Sequence, residues 1–145
     1  MKRAILLFWL VIALGFVISP LTAIGVETAR GTPLAAAINL WVERLFEPGF
    51  NEFLLVLLAA APFIAAAVFI WLHLSVGGAA SARSAGVAGL LCAGILLSLW
   101  VLISIRTSRS STASIGYIFL PFEVLFVMPI GYFLGRMAVK LAQKS

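Results

Sequence analysis

Four long apolar stretches, residues 4–24, 53–72, 86–105 and 113–135, alternate with short polar segments along the 145-residue chain. Each offers roughly the twenty apolar residues that a helix needs to cross the hydrocarbon of a bilayer. The pattern therefore predicts an all-α integral membrane protein, a four-helix transmembrane bundle forming one membrane domain over residues 1–145. The first stretch follows Met1, Lys2 and Arg3 and ends near Ser19 and Pro20. It is read as a retained span, because its apolar run exceeds the core of a secretory signal; a signal cleaved near Ala23 and Gly25 is the other reading.

A different pattern lies between the first and second spans. Over residues 33–47, Leu34, Ile38, Trp41, Val42, Leu45 and Phe46 recur on one helical face, with Asn39, Glu43, Arg44 and Glu47 on the other. Thr32 suits the cap and Pro33 the first turn, and Pro48 and Gly49 close the segment. One interfacial amphipathic helix is expected here, anchored by Trp41, with roofing the bundle or meeting a partner as the other uses of such a face.

Small residues organise the later spans. Gly86, Gly89 and Ala93 on the third and Gly131 and Gly135 on the fourth lie at the spacing that lets membrane helices approach backbone to backbone, so these two spans are expected to form a tight hairpin. Residues 75–85 read as a short turn, which predicts that the second and third spans are antiparallel neighbours. Asn51 and Glu52 suit the start of the second span. Pro62, Pro121 and Pro129 each withhold a backbone donor and are expected to kink or break their helices.

Composition narrows the function. With 63% hydrophobic and 10% charged residues, no soluble catalytic domain fits. The net charge of +5 comes from ten Lys and Arg against five acidic residues, all of them Glu. No basic cluster is long enough to follow a phosphate backbone, so a nucleic-acid partner is rejected and the charge is read as membrane orientation. The lone Cys92 excludes disulfides within one chain and reads as a small packing residue, and the lone His73 reads as a polar residue at the membrane boundary. No metal site, cofactor or catalytic constellation is expected, and the chain is read as not an enzyme.

Two groups of residues remain as functional candidates. Glu123 lies near the middle of its span, where an acid costs about 2.5–3.5 kcal/mol, and by helical period it shares a side with Gly116, Leu120, Val127 and Gly131. It is expected to face the bundle as an intramembrane polar or proton-carrying site, hydrogen-bonded to a proline-released carbonyl or to Ser98. Arg106, Arg109, Ser111 and Thr112 precede the fourth span and suit an anion or lipid headgroup, although simple helix capping accounts for the hydroxyls equally. The hydroxyl-rich start of the fourth span, Gly116 with Tyr117, and the turn from Phe119 to Pro121 resemble small bacterial membrane proteins, a resemblance that implies no activity.

Two functions follow as expectations. The first is a non-enzymatic accessory, assembly or immunity-type subunit that binds another membrane protein, its partners being the lipid bilayer and that protein or a second copy. The alternative is an oligomeric proton- or cation-coupled transport or channel component that uses Glu123. Counting basic residues gives six on one side (Lys2, Arg3, Arg83, Arg136, Lys140, Lys144) and four on the other (Arg30, Arg44, Arg106, Arg109). The expected location is the cell inner membrane, and the count favours both termini on the cytoplasmic side. A cysteine introduced by Asn39→Cys should then react with an impermeant thiol reagent added outside intact cells, whereas Lys144→Cys should be protected. The reverse labelling overturns the topology.

Overall fold

The structure, a computed structural model, describes residues 2–48, 52–75, 80–108 and 113–143. It contains α1 (Lys2–Ala29), α2 (Leu34–Glu43) followed by a 3-10 turn (Arg44–Phe46), α3 (Glu52–Ser75), α4 (Ala80–Thr107) and α5 (Ala113–Ala142). The described residues include no strand. Helices α1, α3, α4 and α5 are long and apolar enough to cross a membrane. In hydrocarbon every backbone polar group must find its partner within the segment, which a continuous helix achieves. The chain is thus a multi-pass membrane protein, a four-helix bundle with an amphipathic helix between its first and second spans.

Several local expectations are corrected. Pro62, Pro121 and Pro129 do not break their helices, which run on past them as α1 does past Pro20, since each removes a single donor and the adjacent turns hold the ladder. The first span continues beyond residue 24 to Ala29, so α1 is about 42 Å long and outruns a hydrocarbon core of about 30 Å. It stops at Gly31, whose φ of +96° is open to glycine. The Gly31 amide donates to the Thr28 carbonyl at 3.0 Å and the Thr32 amide to the Glu27 carbonyl at 3.2 Å, the paired bonds of a Schellman ending. Thr32 is therefore used in ending α1 and makes no side-chain cap on α2, whose N-cap is Pro33. The connection shrinks to Arg30–Pro33, and α2 folds back against the end of α1.

The four spans pack as two antiparallel pairs, α1 with α3 and α4 with α5, and these two contacts are the most extensive in the molecule. Next come α3 against α5 and α1 against α4, while α3 and α4 touch only lightly despite their short connection. Sequence neighbours α3 and α4 are therefore not packed neighbours, contrary to the expectation from the short turn. The ring order is α1, α3, α5, α4.

Between α4 and α5, a methyl group on Gly89 would overlap the carbonyl of Gly131, one on Gly131 would overlap that of Gly89, and one on Gly135 would overlap that of Ala85. Ala93 also lies against Gly131, and Gly86 makes room for the ring of Tyr132. Between α1 and α3, Gly15 lies against Phe63 and the backbone of Ala60. Phe63, Ile70, Leu102, Leu120 and Val124 fill the centre. Cys92 is exposed on the outside of α4, away from the packed seam expected of a small packing residue.

Because backbone contacts at the α4–α5 seam leave no space for a side chain, Gly89→Leu and Gly131→Leu should each lower stability in detergent by about 1–3 kcal/mol or more. Cys92→Leu on the exposed flank should leave the unfolding midpoint unchanged. Equal midpoints for all three variants would rule the seam out.

Candidate functional site

Polar side chains gather at the end of the bundle where α1 and α4 finish and α3 and α5 begin. Glu52 opens α3 and Arg106 lies in the last turn of α4, positions that suit an acid and a base against the helix dipoles. The two meet in a fork: Arg106 Nη1 donates to Glu52 Oε1 at 2.8 Å and Nη2 to Oε2 at 2.8 Å. Arg106 Nη2 also reaches Ser19 Oγ on α1 at 3.3 Å, and the guanidinium carbon sits 5.9 Å from the centroid of the Tyr117 ring on α5. The Arg106 and Glu52 side chains are only 11% and 9% exposed. One arginine thereby joins α1, α3, α4 and α5.

A second set of charges encloses the first. Arg30, just past α1, donates through Nη2 to the Arg106 carbonyl at 2.7 Å and through Nη1 to Glu27 Oε1 at 3.2 Å. The accepting carbonyl is one of those that a helix end leaves unpaired. Arg44 lies 3.7 Å from the same Glu27 oxygen. In α2, Ala37, Leu40, Trp41 and Arg44 face the bundle, while Leu34, Ile38 and Val42 of the apolar stripe are exposed. The side turned to the bundle lies roughly a quarter turn from the middle of the apolar stripe, which leaves that stripe open to the membrane interface. The result is a cavity of about 220 Å³ between α2 and the bundle, lined by Glu27, Arg30, Trp41, Arg44, Arg106 and Tyr117 among others.

The opposite end has a smaller polar knot. Tyr132 Oη and His73 Nε2 are 2.6 Å apart, His73 stacks on Phe69, and Arg136 lies 5.7 Å from the Tyr132 ring centroid. Arg83 donates to the His73 carbonyl at 3.3 Å. His73 thus ties α3 to α5.

Glu123 is exposed on the outer surface of α5, contrary to the expectation that it faces the bundle. The buried stripe of α5 runs through Tyr117, Leu120, Val124, Met128 and Tyr132, and residue 123 lies about 100° around the helix from Val124. No ion pair reaches Glu123 among the described residues. Ser98 is buried with its hydroxyl unpartnered among them, so it does not serve Glu123. Arg106 is committed to Glu52 instead of an approaching anion. Arg109, Ser111 and Thr112 lie outside the described residues. Gly86, Gly89, Ala93, Gly131 and Gly135 all sit at the α4–α5 contact, and Gly86 lies beside Tyr132 and Arg136 of the second polar knot. No group of three or more His, Cys, Asp or Glu converges as metal ligands would, among the described residues.

Sequence reasoning missed Ser19, Glu27, Arg30, Arg44 and Glu52 as members of one cluster. The signal was present: an acid at the start of one span and a base at the end of another belong to the same end of a bundle.

The fold and these two polar ends define a polytopic membrane protein with a charged chamber closed by an amphipathic helix. Comparison with protein families, with characterised proteins and with solved structures finds no match.

Glu52→Ala strands the enclosed Arg106 without a counter-charge and should cost about 3–5 kcal/mol, read as a lowered unfolding midpoint in mixed micelles. Replacing both members, Glu52→Leu with Arg106→Met, should recover a large part of that loss. Arg44→Gln breaks a half-exposed pair and should change stability by less than about 1 kcal/mol. A Glu52→Ala variant as stable as the parent would show that the pair does not hold the helices.

Proposed function

We propose that this protein is a non-enzymatic accessory or assembly subunit of the bacterial inner membrane, immunity-type proteins included, that docks through the outer face of α5 onto another membrane protein. The observation that carries the reading is the exposure of Glu123. Along α5 it lies about 9 Å from Tyr117 at one polar end and about 13–14 Å from Tyr132 at the other, well inside the apolar slab. An acid there costs about 2.5–3.5 kcal/mol against lipid, and the usual remedy is a partner that faces it. Phe119, Phe126 and Ile130 flank it and are exposed as well. The occupant that fits is a transmembrane helix with a hydrogen-bonding or basic side chain at the depth of Glu123.

The six-to-four division of basic residues supports cytoplasmic termini and an outward-facing α2. Catalysis is a weaker reading. Both oxygens of Glu52 are engaged by Arg106, so this carboxylate is poorly placed to take a proton from a substrate.

A photo-crosslinking residue at position 126, in native membranes, should give one discrete adduct that Glu123→Leu abolishes and Glu123→Gln weakens less. A crosslinker at Leu10 on α1 is the control. An adduct with the mass of two copies, together with proton flux in liposomes that Glu123→Gln stops, favours the oligomeric transport reading instead. No adduct above the control removes the docking face.

A further inference from the structure

The charged chamber adjoins an apolar groove on the flank of the bundle. Between α1 and α4 a cleft of about 450 Å³ is lined by Leu21, Gly25, Ala29, Leu99 and Ile103. Val26 and Arg30 line both spaces, so Arg30 stands where the groove meets the chamber. A polar chamber at the end of a membrane helix, with an apolar cleft beside it that shares Val26 and Arg30 and descends toward mid-membrane, has the form of an amphiphile site.

The charges select the headgroup. Three arginines (Arg30, Arg44, Arg106) face two glutamates (Glu27, Glu52), so the chamber keeps one positive charge after all its ion pairs are formed. The surplus hydrogen-bonding capacity is also of donor type. The Trp41 indole N–H and the Arg106 Nε–H are enclosed with no acceptor among the described residues. Arg30 spends one N–H on Glu27 and one on the Arg106 carbonyl, which leaves guanidinium donors to spare. A phosphate oxygen can accept directly from the spare Arg30 donors, and from the enclosed Trp41 indole N–H once its neighbours shift; guanidinium groups bind phosphate well. The groove takes what a free phosphate lacks: from Leu21 to Arg30 it runs about 14 Å, room for a good part of one acyl chain.

We infer that the chamber and groove together bind one anionic phospholipid, with the phosphate at Arg30 and Trp41 and an acyl chain along α1 and α4. This site is separate from the Glu123 face of α5 and does not depend on the docking reading. It also differs from the anion site expected before the fourth span, since Arg106 serves mainly as wall.

The test uses the full-length protein, delipidated in detergent and titrated by native mass spectrometry. The probes are phosphatidylglycerol, phosphatidylcholine with the same chains, and inorganic phosphate. Phosphatidylglycerol should bind about tenfold more tightly than phosphatidylcholine: both carry the phosphate, but the choline ammonium would meet the chamber's surplus positive charge. Inorganic phosphate should neither bind at comparable concentration nor raise the unfolding midpoint. Arg30→Gln should erase the headgroup preference. Gly25→Leu should fill the groove and weaken phosphatidylglycerol at least about tenfold. It should do so with the unfolding midpoint unchanged, because no atom lies within 4 Å of a Cβ at that position. Glu123→Leu should bind lipid like the parent. Equal affinity for the two lipids overturns the proposal, as does phosphate binding that matches phosphatidylglycerol, or full phosphatidylglycerol binding by Gly25→Leu.

Discussion

A carboxylate and a guanidinium enclosed at the end of an apolar bundle are stable together and costly apart, because removing either leaves an uncompensated charge in a low-dielectric surround. Glu52 and Arg106 form such a pair, and much of the chamber end follows from it. The fork fixes the start of α3 against the end of α4, two helices that otherwise barely touch. Through Ser19 and the Tyr117 ring it adds α1 and α5. The Arg106 carbonyl then accepts from Arg30, Arg30 orients Glu27, and Glu27 draws Arg44 and with it α2. The roofing helix meets the far end of this chain of charges at Arg44, while its buried Ala37 faces the bundle.

The rest of the bundle is held differently. Lipid gives apolar faces no reason to leave it, so helices associate where close packing gains dispersion contacts that lipid cannot match. At the α4–α5 seam that means glycine against glycine, and at the α1–α3 seam Gly15 against Phe63 and Ala60. These two pairs are antiparallel and intimate. The contacts between pairs are thinner, which is where polar knots at both ends have the most to do: Glu52 with Arg106 at one, His73 with Tyr132 at the other.

The spans were legible because a run of about twenty apolar residues, in a chain this poor in charge, fits little besides a membrane crossing. The small-residue positions of α4 and α5 were legible for a related reason, since spacing by four marks one face whatever the rest of the helix contains. Rotation about the helix axis was harder to read. α5 is apolar on all sides, so no polar face marks its outside, and Leu120 and Gly131 do lie on the buried stripe to which Glu123 was assigned. Glu123 sits just beyond the edge of that stripe. α2 shows the same limit: its apolar stripe was real, but nothing in the sequence marked which side of the helix turns to the bundle and which to lipid. Glu52 looked like a helix start because it is one, and the partner 54 residues away leaves no trace in local pattern.

The five glutamates show how membrane depth and pairing divide their roles. Glu43 and Glu47 lie at the exposed end of α2, where water can reach them at little cost. Glu27 and Glu52 are drawn inward, and each is matched by arginine from another segment, Arg44 and Arg106. Glu123 alone is both deep in the apolar slab and turned outward. A bundle able to enclose and pair Glu52 had the means to shelter a second acid among its helices. It presents this one to its surroundings instead, and the proposed docking face of α5 rests on that exposure.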